Sequence, residues 1–225
     1  MKEKTKEKAP DQQASSIVFI GSFNPKIFQP AWFVKEGLIQ KQEGDEADIE
    51  IMHNEFVSFG LHWLKLTVTR DKFQVATSQE SFYEFLRDLA FGTFKVLKHT
   101  PISQMGINLH MHFRMNSEKE WHDFGHKLTP KEIWNKVLTK PGMLKLTIQG
   151  DTNRCNLNGY RQVTVEPSKK VPNGVFLTVN DHYQVKDKEI KNVSGCEEII
   201  GILETKWNES IEGSKKIIYQ LLESI

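Results

Sequence analysis

The sequence predicts an α+β fold: a mainly antiparallel β-sheet with long amphipathic helices packed on it, formed from a repeated β-hairpin–helix unit. Two observations carry this expectation. The hydrophobic period switches from two to 3.6 twice, before Phe82 and again before Ile199. The stretch 66–75 (LTVTRDKFQV) is also echoed by 177–185 (LTVNDHYQV), with one deletion at the turn. One such unit exposes an apolar sheet face, and a second copy can cover it. Chance likeness between two ordinary hairpins is the alternative; agreement between the echo and the order of elements favours duplication.

The elements follow in order. Ile17 to Ile20 reads as a strand ended at Asn24-Pro25, because proline restricts the residue before it. Residues 29–39 suit a short helix with Trp32, Phe33 and Leu38 inward, and 41–48 is polar enough for a loop. Residues 49–59 and 61–69 are strand-like, and Arg70-Asp71 is a hairpin turn leading into the partner strand 72–76. Ser78 suits a helix N-cap. After it, Phe82, Phe85, Leu86, Leu89, Val96 and Leu97 form an apolar stripe. Residues 102–115 are a strand region. Ser117 with Glu120, and Thr129 with Glu132 behind Pro130, predict short helices near 118–126 and 130–138. Residues 143–148, 160–165 and 175–179 read as strands, the last turning at Asn180-Asp181 into 183–185. Ile199, Ile200, Leu203, Trp207, Ile211, Ile218, Leu221 and Leu222 mark a long C-terminal helix, with Gly213 as its weak point.

The chain of 225 residues is within reach of one domain. Residues 1–15 alternate charges without an apolar core and read as a disordered, charged tail rather than a secretory signal. Residues 16–225 then form a single domain of two pseudo-repeats, about 16–105 and 106–225. Thirty basic against 29 acidic residues give a net charge of +1, so no global field draws the protein to nucleic acid or an anionic membrane. No window approaches the ~18 apolar residues of a membrane span. The two cysteines, Cys155 and Cys196, form no CxxC pair and read as lone reduced thiols, with a mutual bridge as the alternative. These features point to the cytoplasm.

The histidines are the strongest chemical feature. His110 and His112 flank Met111 in a strand and so share a face; His122 and His126 are at i, i+4 on a helix and share another. Together the four are candidate ligands for a zinc ion, with Asp123 to supply or orient a ligand. Against this, the helical pair lacks the glutamate of HExxH, and paired histidines are commonly polar surface or hydrogen-bonded core. The expectation is therefore no cofactor, with zinc as the alternative. Asp181-His182 suggests acid–base chemistry, but neighbours on a strand face opposite ways. Cys155 lies in a polar loop with no histidine beside it in sequence. Cys196 begins the last helix, where a lowered pKa competes with buried packing. Arg154, Arg161, Lys169 and Lys170 suggest a basic edge, and the aromatics from Phe19 to Phe33 suggest core or a pocket lining. There is no GxGxxG, GxxxxGK[ST] or GxSxG.

The run 22–33 (SFNPKIFQPAWF), with Leu86-Arg87-Asp88-Leu89, His99-Thr100-Pro101-Ile102, Gly106-Ile107-Asn108 and Val165-Glu166-Pro167-Ser168, resembles a family of uncharacterised conserved bacterial proteins. The resemblance spans most of the chain. It implies a bacterial cytoplasmic origin and no particular activity. The sequence therefore favours a non-catalytic binding or assembly module, in which sheet edges or the groove between halves bind another protein or a second copy. A metal-dependent hydrolase using the four histidines and a small-ligand sensor with its pocket between the halves are the rivals.

Overall fold

The computed structural model describes residues 8–151, 158–185 and 195–224. Among these, nine strands form one sheet: β1 (Gln12–Gly21), β2 (Asp48–Met52), β3 (Phe56–Gly60), β4 (Lys65–Thr69), β5 (Lys72–Thr77), β6 (Ile102–Arg114), β7 (Leu146–Asp151), β8 (Asn158–Pro167) and β9 (Gly174–Gln184). The spatial order is β2-β3-β4-β5-β1-β6-β9-β8-β7, with every neighbouring pair antiparallel. The helices are α1 (Pro30–Lys35), α2 (Lys41–Asp45), α3 (Tyr83–Val96), α4 (Glu118–Leu128) and α5 (Glu197–Glu223). The α+β class and the antiparallel sheet agree with the sequence reading, and no helix among the described residues is long and apolar enough to cross a membrane.

Period-two alternation sorts the two faces of the sheet. Ile17 and Phe19 on β1, every odd residue from Met105 to Phe113 on β6, and Leu177 and Val179 on β9 are buried on one face. α3 packs there on β1 and β5, and α5 on β6 and β9. Phe94 of α3 meets Phe19 and Phe73 edge-on, with ring centroids 5.0 and 4.9 Å apart. Trp207 of α5 is buried and donates its indole N–H to Glu84 of α3 at 3.0 Å, joining the two helices over the seam between β1 and β6. Phe28 and Phe33 close the same layer against Phe73 and Phe59. The aromatics from Phe19 to Phe33 are thus mainly core.

Several expectations are corrected. β1 begins at Gln12, so the tail read as 1–15 is too long: residues 12–15 pair with Leu109–His112 of β6. Their polar side chains hid a strand whose ladder partner is distant in sequence. The stretch 41–48 contains α2, held at its start by the Gln40 backbone N–H donating to the Glu43 carboxylate at 2.8 Å. Ser78 does not cap α3; that helix starts at Tyr83 after a 3₁₀ turn over Glu80–Phe82. Phe85 of the expected stripe is 60% exposed. Ser117 caps α4 as expected, but the second signal yields only a 3₁₀ turn at Trp134–Lys136.

The largest correction concerns the echo. Residues 66–75 form the β4–β5 hairpin about Arg70-Asp71, whereas 177–184 lie within the unbroken strand β9 and Val185 follows it. Asn180-Asp181 is no turn, because Asp181 is drawn under α5 by Arg161 of β8. Arg161 Nε and a terminal nitrogen both donate to the Asp181 carboxylate. The pair is 9% and 1% exposed. Tyr183, also on that face, shares a 2.7 Å hydrogen bond with Ser210 of α5. Gly213 leaves room for the Arg161 guanidinium, whose nearest nitrogen would lie 3.4 Å from an added Cβ, and α5 runs through it unbroken.

Candidate functional site

The open face of the sheet, opposite α3 and α5, carries the even residues of β6: Gly106, Asn108, His110 and His112. His110 and His112 share this face, as their spacing requires. Across the ladder, His112 is paired with Phe176 of β9 on one side and Gln12 of β1 on the other. Their rings stand in a row. Phe176 stacks on His112 at 4.5 Å and 25°, and on His110 at 6.0 Å and 12°.

A cavity of about 750 Å³ opens over this row, where β1 meets β6. Its walls include Gln12–Ala14 and Ser78 on one side and His110, His112, Phe176, Lys169 and Lys170 on the other. That volume falls in the range of small-molecule sites. The pocket therefore sits at the seam between β1 and β6.

The hydrogen bonds separate the two imidazoles. His110 Nδ1 is 2.7 Å from Thr178 Oγ1 and Nε2 is 3.4 Å from Ser16 Oγ, so both nitrogens have hydroxyl partners. Burial, with smaller contributions from His112 and Lys170, pushes His110 down to about 4, leaving it neutral near pH 7. His112 is different. Ser168 Oγ accepts the Lys170 and Val171 backbone N–H groups and lies 2.8 Å from His112 Nδ1. With its acceptor capacity used, the hydroxyl donates to Nδ1. The hydrogen-bond count thus assigns the proton of neutral His112 to Nε2. Burial and the nearby Lys170 hold His112 below the ordinary histidine range.

The charges in the walls are unequally satisfied. Asp11 accepts the Arg114 backbone N–H at 2.8 Å and lies 3.5 Å from its guanidinium; Glu166 is bridged to Lys145 at 3.1 Å. Lys169 and Lys170 have no ion-pair partner among the described residues. The pocket thus offers two uncompensated cations and an imidazole N–H beside the ring of Phe176.

His122 and His126 lie elsewhere. They are on α4, whose position is set by the Ser117 cap, by buried Phe124 and by Trp121, which donates to the Gly174 carbonyl at 2.9 Å. Their rings are 5.9 Å apart and line a second cavity of about 680 Å³ with Trp121, Phe124 and Met143. His122 lies 3.7 Å from Glu118, and His126 Nε2 is buried without a hydrogen-bond partner among the described residues. Glu166 and Pro167 line both cavities and so lie between the two histidine pairs. Among the described residues, no group of three or more His, Cys, Asp or Glu is placed to hold a metal ion. Asp123 is engaged by Lys119.

The other candidates resolve simply. His182 faces the open side and stacks on Tyr160 at 4.4 Å and 14°, while Asp181 faces α5, so the two do not act as a pair. Cys196 is buried, donates to the Phe94 carbonyl at 3.2 Å, and is pushed up to about 11 by burial, which supports packing over reactivity. Arg161 belongs to the buried ion pair rather than to a basic edge. Cys155 and Arg154 lie outside the described residues. The sequence reading missed the roles of Ser168 and Phe176. Ser168 follows Pro167 in a turn, and only the long β6–β9 ladder brings either residue to the histidines. No protein-family model matches the chain, and no curated protein shows a significant match to it.

Proposed function

We propose that the protein is a binding module whose ligand site is the seam pocket over His110, His112 and Phe176, and that its ligand is a small organic anion with a flat apolar part. The observation that carries this is the mismatch in the pocket walls. The acids Asp11 and Glu166 are already paired, whereas Lys169, Lys170 and His112 Nε2 have no such partner among the described residues. A carboxylate or phosphate ester would take those donors in charge-assisted hydrogen bonds. Phe176 and Pro167 would cover the apolar part. Duplication belongs to the same reading, on a basis other than the echo. β1 is followed by strands that return to pair with it through β5, and α3 follows; β6 is followed by strands that return through β9, and α5 follows. Two copies joined by their first strands would place a pocket at their junction. The assembly part of the expectation, with a protein partner or a second copy, concerns the sheet edges and is independent of the pocket. A cytoplasmic, bacterial setting fits this reading.

A thermal-shift panel tests the proposal, using benzoate, salicylate, succinate and phenyl phosphate at millimolar concentration. An aromatic anion is expected to raise Tm in the native protein and not in Lys169→Glu/Lys170→Glu. The reading fails if none of the four shifts Tm, or if the shift survives the charge reversal. Zinc added alone addresses the rival: a zinc-induced rise abolished by His110→Ala would favour the hydrolase.

A further inference from the structure

The two edges of the sheet differ. β2, at one end, is fully exposed and carries Asp48 and Glu50 with no cation of its own. Glu50, at its centre, is already engaged by Lys65 of β4, so pairing β2 with a copy of itself about Glu50 would set two such ion pairs side by side. β7, at the other end, carries one acid at Asp151, and Lys145 immediately precedes it. Its outer row of backbone N–H and C=O groups has no strand beside it among the described residues.

Around β7 the surface is unusually apolar. Ile133, Trp134, Val137, Leu138, Leu144 and Ile148 are each half or more exposed. Six large side chains exposed to that degree present on the order of 600 Å² of apolar surface in all. Trp134, Leu138 and Leu144 line one cleft of about 350 Å³ with Lys145, at the start of β7.

We infer that β7 pairs antiparallel with β7 of a second copy, about a two-fold axis through Ile148, to give a closed dimer with one continuous sheet. An isologous contact must be complementary to itself, and this register is. Ile148 meets its own counterpart on the helix side of the sheet. Thr147 faces Gln149 of the other copy, and Lys145 faces Asp151. Lys145 already bridges Glu166 across its own sheet at 3.1 Å, and Asp151 has no ion-pair partner among the described residues, so the contact would supply one. A net charge of +1 leaves little long-range repulsion between copies.

Sedimentation velocity from 1 to 200 µM, with melting curves as a folding check, tests this. The full chain is expected to be a dimer at the upper end. Asp151→Lys sets lysine against lysine and is expected to weaken dimerisation at least tenfold with Tm retained. Lys145→Asp combined with Asp151→Lys is expected to restore it. A monomer throughout, a dimer indifferent to Asp151→Lys, failure of the double reversal to rescue, or open polymers in place of a dimer would each overturn the inference.

Discussion

Replacing Asp181 by alanine removes the carboxylate that compensates Arg161 and leaves the guanidinium between β8 and α5. Arg161 is 9% exposed and lies against the helix at Gly213, so it cannot regain water without disturbing α5. Breaking a buried pair in this way costs about 3–5 kcal/mol, a large share of the 5–15 kcal/mol that typically separates folded from unfolded protein. Exchanging both partners for apolar residues, Arg161→Met with Asp181→Leu, leaves no stranded charge and is expected to cost less than either single change. Urea titrations followed by tryptophan fluorescence give all four free energies of the cycle. A loss below 1 kcal/mol for Asp181→Ala, or a double change whose cost equals the sum of its singles, would refute the claim that this pair fastens α5 to the second half of the sheet.

Two further outcomes follow from the same geometry. His110 is held near 4 against about 6.5 in the unfolded chain, so the unfolded state takes up a proton first as pH falls. The associated stability is full above pH 6.5 and is lost as pH falls toward 4, about 2 kcal/mol of it by pH 5. Urea midpoints at pH 7 and 5 should show this loss, and His110→Gln should reduce it; an equal loss in the variant would contradict the assignment. Gly201, in α5, has open space where a Cβ would stand. Gly201→Ala should therefore stabilise by up to about 1 kcal/mol through helix propensity alone, and a fall in Tm would count against a regular helix there.

Legibility in the sequence followed the range of the forces involved. The β4–β5 hairpin, α3 and α5 were readable because their signals are local: alternation, a two-residue turn and a stripe at helical spacing. The shared face of His110 and His112 was readable for the same reason, since strand geometry fixes it. The start of β1 was hidden, because Gln12 and Gln13 are paired by β6 and Ser15 and Ser16 by β6 and β5, all distant in sequence. Asn180-Asp181 looks like a turn in isolation and is held extended by Arg161, a tertiary contact with no local trace. The same limit applies to the site. Four histidines close in sequence suggested one cluster, whereas the fold sets two of them on the sheet and two on α4, with Glu166 and Pro167 between. The residues that give the seam pocket its character, Phe176, Ser168 and the lysine pair, come from around the start of β9.

The histidine ring protons report most directly on where a ligand sits. A pH titration followed by NMR, with and without 10 mM benzoate, should show an upward shift in the pKa of His112, because a bound carboxylate favours its protonated form, while benzoate leaves the ring signals of His122 and His126 where they are. Movement confined to His122 and His126, or no movement at any histidine while benzoate still raises Tm, would place the site away from the seam.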